Sequence, residues 1–439
     1  MGSTNYLLKC DLSGIQTFIF NVPSKGAAKA LKNRSVYVQE IADDCLKVLR
    51  DYFGQDNSRE LYNGGGNFYL QVDQSEKTPD EIKECIAEIQ QDYLQMDVFP
   101  HITFVHDQGQ PITELLERIQ KEVQRAKLRR PIPVGAYMPS LLSLPDRNIA
   151  DIEGVNGQVP RDEDRRLMDF SDIAALSEGD EKLAALKLDV DNLGQVFYEK
   201  TEEEYKELSA RLKDFFDTHL LELITVELGF RRHIYVVFSG GDDCFLIGSW
   251  DKVFQLAIRL RQKFEHFQRE LRKEVPSIKE DMTFSAGITV IPSAYPMTRL
   301  STEAEDALSA SKRVVGKDSI TVFGRTLTWK EFEKSQRLAG KLYDLVSQRG
   351  ESKSLINRIK SSDIGYSKLQ HRAAEGRIDL PRVWRLKYYL RVVRAENRSE
   401  IESIFDEYKA SIIDAFMHKR GVNPDLYPVA ARWAELLLK

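Results

Sequence analysis

Cysteine is scarce in this 439-residue chain: four residues, at 10, 45, 85 and 244, with no two close together. That pattern excludes a paired-cysteine zinc ribbon, so no structural zinc is expected, and it excludes a disulfide framework. It suits a reducing compartment, so the expected localisation is cytoplasmic. The seven histidines are scattered and suggest no multi-histidine metal site. No apolar stretch is long enough to span a bilayer, so no membrane partner is expected. Low-complexity tracts are absent. A net charge of −5 argues against broad non-specific binding to nucleic acid.

What is present is a hairpin with acids at its turn. Residues 234–238 and 245–247 read as two apolar strands. Between them stand Ser239, Gly240, Gly241, Asp242, Asp243 and Cys244. Glycines allow a tight turn and close approach of a ligand to the main chain. Adjacent carboxylates there can hold a divalent cation through hard oxygen ligands. Upstream, residues 186–190 read as a buried strand ending in Asp189, with Asp191 and Asn192 just beyond. An amphipathic segment at helical spacing follows over 196–228. One carboxylate at a strand end and a pair on a neighbouring hairpin can converge on metal, which is the clamp nucleotidyl transfer needs.

Downstream come a strand over 284–290, containing Ser285, and a helix over 302–315. Lys312, Arg313, Gly316 and Lys317 stand at its end, before a strand over 319–323. Lysines there can neutralise phosphate, although a basic helix end also complements the helix dipole. The order of elements is that of a ferredoxin-like βαββαβ palm. A weaker copy precedes it. Asp11 and Ser13 mirror the Asp189 segment, and Gly64, Gly65, Gly66 and Asn67 mirror the acidic turn. The first acid lies 53 residues before Gly64 in one copy and 51 before Gly240 in the other. A capping-box pattern at Thr78–Pro79–Asp80–Glu81, a strand over 102–105 and a basic helix over 114–130 complete the first copy. With Gly66 and Asn67 where the second copy has Asp242 and Asp243, the first copy is expected to bind metal poorly and to hold a nucleotide instead.

These segments resemble the large subunit of type III CRISPR effector complexes, of the Csm type. The resemblance rests on Asp-Leu-Ser-Gly-Ile-Gln at 11–16, Asp-Val-Asp-Asn-Leu-Gly at 189–194 and Gly-Gly-Asp-Asp at 240–243. It implies an α+β fold of two βαββαβ palms packed face to face, with a linker region and a C-terminal helical domain. It also implies conversion of ATP to cyclic oligoadenylate messengers in antiviral defence, with Mg²⁺ or Mn²⁺ as cofactor. The partners it implies are ATP, other effector subunits, and guide and target RNA. Asp189, Asp242 and Asp243 fall on the metal and catalytic positions. Gly240 and Gly241 would approach phosphate. Asp11, Ser13, Gly64 and Gly65 would belong to the opposing nucleotide site, and Ser285, Lys312 and Lys317 would join the nucleotide-binding set. Relatives often begin with an HD nuclease domain. Here the first palm begins almost at once and His106–Asp107 is the only His-Asp dipeptide, so no nuclease activity is expected from this chain.

The expected boundaries are 1–130 for the first palm, 131–180 for a linker or small insert, 181–325 for the catalytic palm and 326–439 for the helical domain. Trp384, Tyr388 and Tyr389 are expected to pack within that last bundle. Two rival readings stand beside the first. One is synthesis of a cyclic dinucleotide, or diguanylate-cyclase-like chemistry on GTP. The other is a scaffold subunit that holds nucleotide without turnover.

Overall fold

Strand β1 (Thr4–Ser13) is the middle of a four-stranded antiparallel sheet ordered β2-β3-β1-β4. The others are β2 (Ser58–Gly64), β3 (Asn67–Ser75) and β4 (Phe99–Asp107). Among the described residues, four helices belong to this unit: α1 (Ile15–Phe20), α2 (Ala27–Phe53), α3 (Pro79–Gln91) and α4 (Ile112–Lys127). The computed structural model describes residues 4–23, 26–94, 96–129, 157–196, 201–275, 278, 281–363, 365–376, 384–417 and 422–439. The capping box forms at α3: the Glu81 N–H donates to the Thr78 hydroxyl and the Thr78 N–H donates to the Glu81 carboxylate. Strand β4 runs further than its apolar run suggested, so His106 and Asp107 lie inside it. The His106 ring packs on Tyr6, with centroids 4.8 Å apart.

The second unit repeats the plan after α5 (Phe170–Ala175). Its strands are β5 (Lys182–Val190), β6 (Ile234–Gly240), β7 (Asp243–Ser249), β8 (Phe284–Pro292), β9 (Ser319–Val322) and β10 (Arg325–Thr328), ordered β10-β9-β8-β5-β7-β6. The core order β6-β7-β5-β8 matches β2-β3-β1-β4, and β9 adds in parallel to β8. Helices α6 (Leu193–Val196), α7 (Glu202–Asp214) and α8 (Leu220–Glu222) lie between β5 and β6. The single amphipathic segment expected here is broken by two π-helical turns, Phe215–His219 and Leu223–Glu227. The wider turns bring the adjacent pairs Phe215–Phe216 and Leu223–Ile224 into the core. Helices α9 (Trp250–Glu274) and α10 (Met297–Lys312) follow β7 and β8. Helix α10 starts and stops earlier than its pattern implied, which leaves Val314 and Val315 exposed beyond its end.

The strand sequence of β5 is apolar on both faces because both faces are covered. Ala184, Leu186, Leu188 and Val190 join a core shared with α9, α11 (Trp329–Ser347) and α16 (Leu426–Leu437). Leu183 and Ala185 join a second core with the first unit. There Phe20 meets Phe245, with ring centroids 4.7 Å apart, and the Tyr235 hydroxyl donates to the Ala28 carbonyl at 2.5 Å. Helices α1 and α2 of the first unit therefore pack on the second, and the fold is α+β with two palms and a helical region.

Between α11 and α16 lie α12 (Ser354–Ser361), α13 (Tyr366–Ala374), α14 (Trp384–Tyr389) and α15 (Arg398–Met417). The expectation that Tyr388 packs inside this bundle is corrected. Tyr389 is buried, whereas Tyr388 is 66% exposed with the Arg391 guanidinium over its ring. Adjacent residues on one helix point in different directions, and only one of them can face the core. The side chain of Trp384 lies outside the described residues. The stretch 157–180 contributes Val159, Met168, Phe170 and Ile173 to the core between the palms.

Candidate active site at the paired glycine turns

Strand register shows that the two halves repeat one another at the level of single residues. In the first sheet Asp11 stands opposite Asn67 on one side and His101 on the other. In the second, Asp189 stands opposite Asp243 and Ser285. The Leu12 N–H donates to the Gly66 carbonyl at 3.0 Å, and the Val190 N–H donates to the Asp242 carbonyl at 2.9 Å. Both hairpins carry an irregularity at the same place, between Glu60 and Tyr62 and between Val236 and Phe238. Such bulges re-aim a strand end.

The two turns abut. A Cβ added at Gly65 would lie 3.9 Å from the Gly240 carbonyl oxygen, and one at Gly64 would lie 3.8 Å from the Gly241 nitrogen. Gly241 has φ +69°, and the Tyr62 hydroxyl of the opposite palm fills the space its Cβ would take. Sequence reading put both acids in the turn. In the structure Asp242 is a turn residue and Asp243 begins β7, directly across from Asp189.

Burial raises the pKa of all three carboxyls. Burial lifts Asp243 to about 7, with the Asp242 charge as the next cause. Burial lifts Asp242, followed by the charge of Asp189. Asp189 is raised by burial and opposed by its bond to the Lys312 ammonium. Crowded acids in a partly dry site are a place where a cation is welcome. Their hard oxygen donors fit Mg²⁺ or Mn²⁺. Among the described residues no three His, Cys, Asp or Glu side chains stand at metal-binding separation. Lys312 holds the Asp189 carboxylate instead.

Two cavities flank the turns. One, of about 370 Å³, is lined by Tyr62, Asn67, Tyr69 and Gln120 of the first palm and by Leu193, Gly194, Tyr205 and Asp242 of the second. The other, of about 660 Å³, takes Ile15, Gln16, Lys32 and Ser35 from the first palm and Phe238, Gly240 and Asp243 from the second. Ile15 and Gln16 follow Asp11 at the same distance as Leu193 and Gly194 follow Asp189. Each cavity thus combines a helix start of one palm with a strand edge of the other. Gly64 and Gly65 line the larger cavity.

The repeat extends to residues that sequence reading did not name. Lys127 ends α4 and pairs with Asp11 at 2.9 Å, just as Lys312 ends α10 and pairs with Asp189. Buried Lys9 donates to the Tyr69 hydroxyl at 2.8 Å and to Gln120; buried Lys187 meets Glu305. Gln120 precedes Lys127, and Glu305 precedes Lys312, by the same seven positions. The signal that could have found Lys127 is its place as the last residue of the basic helix, the same place that Lys312 holds in α10. Lys317 reaches Asn192 Oδ1 at 2.7 Å. Ser13 Oγ lies 3.0 Å from His101 Nε2. Ser285 is corrected: it is fully buried, its hydroxyl donates to Asp191 at 3.0 Å, and it faces neither cavity.

Comparison with known proteins follows the same lines. Residues 4–130 match the family model for Csm1 subunit domain B, and residues 182–321 match that for the second palm domain of Cas10/Cmr2. A Mycobacterium tuberculosis protein described as a CRISPR system single-strand-specific deoxyribonuclease Cas10/Csm1 (subtype III-A) is 24% identical, over 73% of this chain and 54% of its own length. The Methanocaldococcus jannaschii protein of the same description is 27% identical over 47% of this chain and 29% of its own. The chain therefore spans about half the length, or less, of the curated relatives it matches. The crystal structure of an apo Csm1–Csm4 cassette superposes with a TM-score of 0.71 at 18% identity, covering 99% of this chain and 70% of that one. Cassettes solved with AMPPNP and with cA4 give 0.67 and 0.68, with the same identity and coverage. At this identity the superpositions speak for the fold. Two palms with the family's motifs in register, and family models that match both of them, show that this chain belongs to the Cas10/Csm1 family.

Proposed function

We propose that this chain is a metal-dependent nucleotidyltransferase that converts ATP into cyclic oligoadenylate within a type III CRISPR complex, beside a Csm4-type subunit. The observation that carries the reading is the placement of Asp189 opposite Asp243, at the seam of two cavities built alike from both palms. Cassettes of the same fold have been solved with AMPPNP and with cA4, which supports adenine nucleotides as the occupants.

In this reading one ATP lies against Asp242 and Asp243, and the other is held by Asp11, Lys127 and the Gly64–Gly65 turn. A ribose hydroxyl of one ATP attacks the α-phosphorus of the other. An O–P bond forms, the bond to pyrophosphate breaks, and the hydroxyl proton is released. A divalent cation held by Asp189, Asp242 and Asp243 would polarise the α-phosphate and neutralise the leaving pyrophosphate. Lys312 leaves Asp189 for phosphate oxygen as the nucleotide arrives, and Lys317 lies beside it. The glycine turns let phosphate approach the main chain. No protein nucleophile is needed, since orientation and charge compensation supply most of the acceleration.

The test is Asp242→Ala with Asp243→Ala, in the complex with target RNA, assayed by mass spectrometry for products from ATP and Mg²⁺. Product is expected to vanish while far-ultraviolet circular dichroism stays unchanged. Undiminished product would remove the assignment. Running GTP in parallel separates this reading from cyclic dinucleotide chemistry.

A further inference from the structure

We infer that Asp191 is the positioning residue that holds the 312–318 loop in the shape its lysines need, and that it is not a metal ligand. The inference rests on the nucleotidyltransferase reading above only for what the loop does.

Asp191 stands two residues beyond Asp189, where a second metal carboxylate would be looked for. It is 1% exposed. Its Oδ2 accepts three hydrogen bonds: from the Thr283 hydroxyl at 3.0 Å, the Ser285 hydroxyl at 3.0 Å and the Asp318 backbone N–H at 3.1 Å. Three donors saturate that oxygen, and the charge strengthens each bond. Its other oxygen, Oδ1, is buried without a hydrogen-bond partner.

The loop it grips is a costly one to hold. Gly316, Lys317 and Asp318 all have positive φ, at +86°, +53° and +45°. Consecutive left-handed residues, two of them not glycine, persist only where the surroundings over-determine them. The surroundings do so here. The Asp318 N–H is tied to Asp191, and its carboxylate pairs with buried Arg261 at 2.9 Å. Lys317 is tied to Asn192, itself at φ +54°. The strand tip 189–192 therefore addresses the loop residue by residue: Asp189 receives Lys312, Asp191 the Asp318 amide and Asn192 the Lys317 ammonium. Releasing the Asp318 amide removes the only one of these links made to the loop's backbone, and with it the reason for Lys317 to stay beside the site.

Two substitutions separate positioning from metal binding. Asp191→Asn keeps an oxygen for the three donors and sets its NH₂ where no donor now points. Asp191→Ala removes the acceptor. In the full complex, Asp191→Ala should speed hydrogen exchange at the amides of 316–318 at least tenfold, weaken binding of a non-hydrolysable ATP analogue about tenfold, and raise KM more than it lowers kcat. Asp191→Asn should restore all three to within about threefold of the parent. If Asp191→Asn is as inactive as Asp189→Asn while its loop amides stay protected, Asp191 acts through its charge and the inference is overturned. Faster exchange in Asp191→Ala with unchanged analogue binding overturns it as well. Exchange and binding are read without turnover, so an inactive parent would sink the proposed reaction and leave this test standing.

Discussion

Asp11 and Asp189 occupy one position of a duplicated motif, and each is held by the last lysine of the corresponding helix, Lys127 and Lys312. The copies diverge at the partner across the hairpin, which is Asn67 for Asp11 and Asp243 for Asp189. In the proposed reaction, Gly66 and Asn67 in place of Asp242 and Asp243 would divide the labour: the acid-rich side would recruit a cation, and the other would hold a nucleotide through Lys127 and its glycine turn.

That division predicts different kinetic signatures for the two lysines. Lys127→Ala should raise KM for ATP about tenfold, roughly 1.4 kcal/mol of binding, with a smaller change in kcat. Lys312→Ala should lower kcat by at least that factor. Steady-state kinetics on the assembled complex decide the matter, and identical effects on both parameters would remove the distinction between the copies.

Gly241 is constrained twice, by φ +69° and by the Tyr62 hydroxyl in the space of its missing Cβ. Gly241→Ala should reduce product formation by about a hundredfold through displacement of Asp242, an effect of about 2.7 kcal/mol. Removing the hydroxyl with Tyr62→Phe clears that space but not the strained φ. The double variant should therefore recover about tenfold over Gly241→Ala. Absence of any recovery would mean the backbone conformation alone sets the cost.

Lys32 predicts a pH effect on stability. It is buried, its acceptors are Gln158 Oε1 and the carbonyls of Val236 and Val237, and burial pushes its pKa down to about 7. An unfolded lysine keeps its proton to about pH 10.4. Between these values the unfolded chain binds more protons than the native one, so stability rises with pH across that window. Below about pH 7 both states are protonated and the penalty of burying the charge is fully present. Urea midpoints of the parent, compared with Lys32→Met from pH 7 to 9.5, should show the parent gaining on the order of 2 kcal/mol. Parallel curves would count against the assignment.

The helical region shares its core with the second palm. Trp433 of α16 meets Phe254 of α9 at 4.6 Å and Phe332 of α11 at 5.4 Å between ring centroids. Trp433→Ala should cost about 3–5 kcal/mol. Because the cavity opens in a shared core, the loss should appear as one cooperative shift in chemical denaturation. A separate early transition confined to the helices would contradict it.

Much of the fold was open to reading from the sequence, because its signals are local. The glycine turns, the capping box at Thr78 and the apolar run of β5 each depend on residues near one another in the chain. The similar spacing of acid and glycine turn, 53 and 51 residues, revealed the duplication, and strand register bears it out, since Asp11 and Asp189 pair at corresponding positions of their sheets. The π-helical turns after α7 were missed because their apolar residues look the same at either helical period. Tyr388 was misplaced because adjacent aromatics give no sign of which one faces inward.

Residue types and their order along the chain by themselves determined where the acids stand, that two βαββαβ units exist, and that one lacks an acid at its turn. Only the tertiary structure decided which donors those acids meet. Lys312 is 123 residues from Asp189, and Asp318 is 127 from Asp191. Contacts at that range depend on how sheets and helices pack, and no periodicity encodes them. The same packing buried Ser285 beneath Asp191 and set the Tyr62 hydroxyl over Gly241, because a side chain's partner is fixed by what surrounds it in space.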